Sequence, residues 1–134
     1  MVRGTQSAAA QLFRFRLDLQ SGVPVYRQLI DQLLAALATC QLKAGDQVPT
    51  VRQVAVDLAI NPNTVVRAYK ELEIRGVLAT QQGTGTFIAE VSLSRDEVEH
   101  KRRLHQLVGE MVARAGGEGY SLKELMEALK EQRR

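Results

Sequence analysis

Asn61-Pro62-Asn63-Thr64-Val65-Val66-Arg67-Ala68-Tyr69 decides how this chain is read. The Asn61 side chain suits capping of free helix N–H groups, and Pro62 suits the first helical position, where its missing donor costs nothing. A sharply started helix is predicted, running from Pro62 to about Arg75, with Gly76 where a left-handed C-terminal cap belongs. Val65, Ala68, Tyr69 and Leu72 recur at i, i+3, i+4 and i+7, one apolar stripe that seats the helix on a core. Asn63, Thr64 and Arg67 then point outward, and that polar, basic first turn is left for a partner.

Working upstream, Lys43-Ala44-Gly45-Asp46-Gln47-Val48-Pro49 reads as a loop, because Gly and Pro break the helical period. Thr50 is placed to cap a helix from Val51 to about Ala59 that buries Val51, Val54, Ala55 and Leu58 and leaves Arg52 and Gln53 outside; Ile60 turns the chain. Two short helices joined by a tight turn make a helix-turn-helix. Before it, Tyr26, Leu29, Ile30, Leu33, Leu34 and Leu37 mark a first helix starting at Val25, after the punctuation of Ser21-Gly22-Val23-Pro24. Alternation of Phe13, Phe15, Leu17 and Leu19 with polar residues predicts a half-buried edge strand over Phe13 to Leu19.

Downstream, Val77-Leu78-Ala79-Thr80 and Thr86-Phe87-Ile88-Ala89 read as strands around Gln81-Gln82-Gly83-Thr84-Gly85, a linker suited to a hairpin. A hairpin after a helix-turn-helix is a wing. Beyond Ser92 the pattern becomes a long helix with Val98, Leu104, Leu107, Val108, Met111, Val112 and Ala115 apolar, closed by Gly116-Gly117. Ser121-Leu122-Lys123-Glu124 is a capping box opening a last helix with Leu122, Leu125, Met126 and Leu129 on one face. The fold class is mainly α with a small β-wing. It comprises a flexible tail over 1–11, a winged helix-turn-helix over 12–90 and a C-terminal two-helix dimerisation segment over 91–134. Two helices alone cannot bury that many apolar side chains. A second copy is expected to cover Leu104, Leu107, Val108, Met111, Leu122, Leu125, Met126 and Leu129, since each exposed leucine forfeits roughly 1.5 to 3 kcal/mol.

At 134 residues, with 45% hydrophobic and 25% charged, the chain suits one compact soluble domain plus an appendage. No apolar run approaches the roughly 20 residues of a membrane helix, and Met1 to Gln11 holds no apolar segment of a secretory signal. The lone Cys40 excludes an internal disulfide framework and fits the cytoplasm as the default compartment; it carries two readings, a redox sensor and, ahead of it, a small buried hydrophobe. The net charge of +3 favours a polyanion only weakly. Its placement says more: Arg52, Arg67, Lys70 and Arg75 lie in or beside the helix-turn-helix. His100 and His105 are wrongly spaced for two ligands on one helical face, and no nucleophile triad, paired carboxylates or phosphate cradle stands out. Neither catalysis, metal nor cofactor is expected.

The partner these features point to is double-stranded DNA. Arg52 and Arg67 suit guanine O6 and N7 or a phosphate; Asn63 and Thr64 suit base edges; Asn61 is a cap before it is a reader. Tyr69 carries two readings, a phosphate contact through its hydroxyl and core packing on the apolar stripe. Gly83 and Gly85 suit a turn with positive φ, and with no basic residue between them a wing in the minor groove rests on backbone N–H groups, Thr84 and Thr86.

Asp46 to Ile88 resembles the winged helix-turn-helix of GntR-family bacterial transcription regulators. The residues that carry the resemblance are Val48-Pro49-Thr50-Val51-Arg52-Gln53-Val54-Ala55, Asn61 to Leu72, and Gly83-Thr84-Gly85-Thr86-Phe87. With only two short helices following, the chain looks most like the YtrA subfamily, in which, as the resemblance implies, the C-terminal helices dimerise. The MocR group shares the recognition helix but carries an aminotransferase-like domain, for which a chain ending at Arg134 has no room; the capping box and last helix read as those of a complete protein. The resemblance implies DNA contacts at Thr50, Arg52 and Thr64 and wing-tip roles for Gly83 and Gly85. Two departures stand out: Val66 where many relatives have Arg, with the basic group one place later at Arg67, and no basic residue near Gln81, Gln82 or Thr84. A homodimeric repressor of an inverted-repeat operator is therefore expected, with transporter genes as its implied targets. The alternative is a winged-helix protein-interaction module. A small-molecule effector is left open.

Overall fold

The computed structural model describes residues 13–90 and 96–132. The tail expected over 1–11 and the junction between the two predicted domains lie outside the described residues. The chain divides into two compact units, Met1–Val91 and Ser92–Arg134.

The first unit contains α1 (Val25–Ala38), β1 (Gln47–Val48), α2 (Val51–Leu58), α3 (Pro62–Ile74), β2 (Leu78–Gln81) and β3 (Gly85–Ile88). One buried cluster unites them. Leu29, Ile30 and Leu33 of α1 meet Val54 and Ala55 of α2, Val65, Ala68, Tyr69 and Leu72 of α3, and Val48, Leu78 and Ile88 of the sheet. The three helical periods read from the sequence thus converge on a single core.

Four local expectations are corrected. Phe13 to Leu19 forms no strand: Phe13 and Phe15 are buried and pack edge to face, but Leu19 is 81% exposed. Glutamines of α1 take the place of a neighbouring strand. Gln28 Oε1 accepts the Asp18 N–H (2.8 Å), Gln28 Nε2 donates to the Asp18 and Val23 carbonyls (2.9 Å each), and Gln32 Oε1 accepts the Arg16 N–H (2.8 Å). The segment read as a loop over Lys43 to Pro49 contains β1, which pairs antiparallel with β3 and gives a three-stranded sheet in the order β1-β3-β2. Ala59, in the left-handed region at φ 55°, turns the chain between α2 and α3, whereas Ile60 packs partly buried against the core. Cys40 is exposed and left-handed (φ 62°), just past the C-cap of α1, rather than a buried hydrophobe.

The second unit consists of α4 (Glu97–Gly117) and α5 (Leu122–Glu131). Asp96 caps α4 by accepting the Val98 N–H, and Ser121 and Glu124 form the expected capping box on α5. Gly116 and Gly117 are the last residues of α4 rather than its stop; the left-handed residue is Gly119 at φ 92°. Arg102 grips Glu99 at 2.7 Å and its hydrogen bond holds that carboxyl below the ordinary range. No residue of either helix is buried. Among the described residues no helix is long and apolar enough to cross a membrane.

Candidate nucleic-acid interface

Both helices of the helix-turn-helix begin on side-chain caps. Thr50 Oγ1 accepts the Gln53 N–H (3.1 Å) while Gln53 Oε1 accepts the Thr50 N–H (2.9 Å), a reciprocal capping box. Thr50 caps α2 as expected, and Gln53 is its reciprocal partner. Asn61 Oδ1 accepts the Asn63 N–H at 2.8 Å, so Asn61 is a cap, as its position before Pro62 implied. First-turn N–H groups at a helix start carry partial positive charge that favours an anion such as phosphate. Thr50 still has its hydroxyl proton to donate.

Tyr69 is corrected. Only 4% of it is exposed, and its hydroxyl donates to the Pro49 carbonyl at 2.5 Å. A phosphate oxygen requires a donor, and the one phenolic proton is already engaged. Burial also lifts the phenol well above the usual tyrosine range, keeping it neutral. Tyr69 instead ties α3 to the residue immediately before the Thr50 cap, fixing one helix of the pair against the other.

Arg67 is exposed on α3 and its guanidinium lies 3.7 Å from the centroid of the Tyr26 ring in α1. This cation–π stack occupies the flat face of the guanidinium and leaves the N–H donors along its edge free. Tyr26 escaped the sequence reading as a functional residue. It belongs to the helical period of α1, and nothing local signals that a distant arginine rests on it. Asn63, Lys70 and Arg52 are exposed and Thr64 is half-buried. Among the described residues Arg52, Arg67 and Lys70 enter no ion pair, whereas Arg75 is held by Glu71 at 2.7 Å. The structure therefore brings Asn63, Thr64, Arg67 and Lys70 together on one helix and leaves Arg75 engaged elsewhere.

The wing is tied to this helix: Thr80 Oγ1 in β2 donates to Glu73 Oε2 of α3 at 2.9 Å. At its tip the Thr84 N–H donates to the Gln81 carbonyl (3.0 Å) around Gly83 at φ 78°, a turn that needs a left-handed third residue. Gly85 is also left-handed, at φ 136°, which favours glycine, and the end of the flexible Gln47 side chain lies over it. A Cβ there would lie 2.5 Å from Gln47 Nε2, which reaches from β1 to donate to the Thr84 carbonyl at 3.3 Å. Thr84 is exposed, Thr86 is half-buried, and no Lys or Arg stands between Val77 and Glu90. His100 and His105 are exposed on α4, and no cluster of metal-ligating side chains occurs among the described residues.

A capped helix-turn-helix with a free basic face and an attached β-hairpin defines a winged helix-turn-helix DNA-binding protein. The family described as "Bacterial regulatory proteins, gntR family" matches residues 25–88, which is α1 through β3. The chain is 38% identical over 113 residues to the HTH-type transcriptional regulator YhcF of Bacillus subtilis, covering 84% of this chain and 93% of that one. It is 34% identical over 116 residues to the HTH-type transcriptional repressor YtrA of Bacillus subtilis, covering 87% and 89%. The crystal structure of a transcriptional regulator from Oenococcus oeni, 36% identical, superposes with a TM-score of 0.56 over 86% of this chain and 95% of that chain. The protein belongs to the GntR family, with YtrA among the relatives it matches over most of their length. It is a DNA-binding transcriptional regulator and not an enzyme. The protein-interaction alternative is set aside accordingly.

Proposed function

We propose that the protein is a homodimeric repressor that binds an inverted-repeat operator, with α3 of each protomer in the major groove of one half-site. The observation that carries this reading is the exposed face of α3, where Asn63 and Arg67 stand beside the half-buried Thr64 and the arginine has no acidic partner among the described residues. Asn63 and Thr64 read base edges, and Arg67 presents its free N–H edge to guanine O6 and N7. Thr50 and Arg52, at the start of α2, hold the phosphate backbone and so set register. Gly83, Thr84, Gly85 and Thr86 bring the wing to the flanking groove without an inserted cation. That leaves most electrostatic attraction to the helix-turn-helix.

Dimerisation is assigned to α4 and α5. Leu104, Leu107, Val108, Leu122, Met126 and Leu129 are exposed there, while Met111 and Leu125 are half-buried. An isologous interface over these residues pairs two winged domains, and twofold symmetry then dictates half-sites about one helical turn apart. Repression follows from occupancy of a promoter, in keeping with the name of the YtrA relative as a repressor. Control of transporter genes is carried over from the YtrA subfamily.

Selection of bound duplexes from a random pool at physiological salt, with wild type and Arg67→Ala in parallel, tests the reading. Enrichment of an inverted repeat by wild type, lost at one guanine position in Arg67→Ala, is the expected result. No enriched motif, or the same motif in both proteins, overturns it.

A further inference from the structure

Between Asn63 and Lys70 one exposed residue of α3 is apolar, and no other part of the described chain uses it. Val66 is 44% exposed and stands outside the buried cluster and the residues packed against it. It is one turn beyond Asn63 and one turn before Lys70, both exposed. Further along the same side, Glu73 receives the hydrogen bond from Thr80 of the wing. Val66 therefore occupies the middle of the stripe between the first turn of α3 and the point where the wing attaches.

A valine here is not chosen for the helix. β-branched side chains rank below Ala, Lys and Arg as helix formers, and Val65 already supplies the buried methyls of this turn. Nor has valine any donor or acceptor, so it reads neither guanine nor adenine edges and gains nothing from a phosphate. The major groove contains one apolar feature, the C5-methyl group of thymine. Valine in a helix is held in essentially one χ1 rotamer, so its two methyls are presented at a fixed place with little entropy to lose.

We propose that Val66 is a specificity-determining residue that reads the C5-methyl of one thymine in each half-site. The assignment rests on the α3-in-major-groove reading above and adds a base identity to it. It places an A·T pair inside the half-site, next to the base pairs contacted by Asn63 and Arg67.

Deoxyuridine lacks only that methyl, which makes the test direct. Duplexes carrying the selected motif are prepared with each thymine of one half-site replaced in turn by deoxyuridine, and titrated with wild type and with Val66→Ser. At one position the replacement weakens wild type about fourfold, the worth of roughly one buried methyl group, and leaves Val66→Ser unchanged. Val66 is a surface position, so the variant keeps the fold, as its melting curve verifies. The assignment is overturned if no replacement weakens wild type, or if the loss persists undiminished in Val66→Ser. Failure of the random pool to yield any motif is a separate outcome, overturning the DNA reading and this assignment together; a clear motif indifferent to uracil overturns the assignment alone.

Discussion

In the first unit Leu29, Ile30, Leu33, Val65 and Leu72 are completely sealed from solvent within one chain, whereas in the second Leu104, Leu107, Met126 and Leu129 keep between 45% and 61% of their surface exposed. Both sets obey the same helical periodicity. The difference lies in what each stripe meets: α1, α2 and α3 face one another and a sheet, while α4 and α5 are two helices with nothing buried. An amphipathic stripe states that something must cover it and is silent on whether the cover is the same chain or another. In the proposed function the unit with its own core carries the DNA-reading face, and the unit with nothing buried carries the pairing.

The sharpest way to break this contrast is to truncate one leucine from each unit. Leu72→Ala removes a fully buried side chain and is expected to cost about 2 to 5 kcal/mol in urea unfolding, at any protein concentration. Leu104→Ala is expected to lose stability only where the protein is dimeric, so its deficit shrinks on dilution. Equal losses independent of concentration would show that the second unit has a core of its own.

Tyr69→Phe probes how the first unit holds its two helices. It removes the bond to the Pro49 carbonyl and is expected to cost about 1 kcal/mol. The pH dependence has a definite sign. Because burial raises the folded-state pKa, the contribution of Tyr69 is fully present below the unfolded value of about 10 and fades as pH rises above it. Denaturant midpoints followed from pH 8 to 11 should fall less steeply for the phenylalanine variant; parallel curves would remove Tyr69 from the account.

Tyr26→Leu is expected to weaken operator binding by about two- to fivefold through loss of the cation–π support of Arg67, with Tyr26→Phe close to wild type. In an Arg67→Ala background the leucine substitution should add nothing. An additive loss in the double variant would mean that Tyr26 acts independently of Arg67. The smallest effect is expected at Cys40, where a left-handed non-glycine residue follows α1: Cys40→Gly should gain up to about 1 kcal/mol in thermal unfolding, with DNA binding unchanged.

Most of the fold was legible because its signals are local. Asn61-Pro62 starts α3, Gly76 ends it, Thr50 caps α2, and Gly83 turns the hairpin, each within a few residues of the structure it specifies. The misread strands fall where a distant residue decides. Phe13 to Leu19 alternates like a strand, but its backbone partners are the glutamine side chains of α1, which no periodicity displays. β1 is two residues long and exists because Phe87 and Thr86 lie opposite Gln47 and Val48. On α3, the outward placement of Asn63 and Arg67 was readable from the period of one helix, whereas Thr64 is half-buried. Tyr26 beneath Arg67 and the Tyr69 bond to Pro49 were not readable, since each joins elements far apart in the chain.

Whether reading and pairing reside in different units is decided by sedimentation of the full chain with Leu107→Asp beside wild type, each then titrated with the selected operator. A dimeric wild type is expected, with a monomeric, fully folded variant whose operator affinity falls by about 30-fold or more, as when an interface anchor is replaced by a charge. A variant that remains dimeric, or a monomer that binds the full operator as tightly as wild type, would contradict that separation.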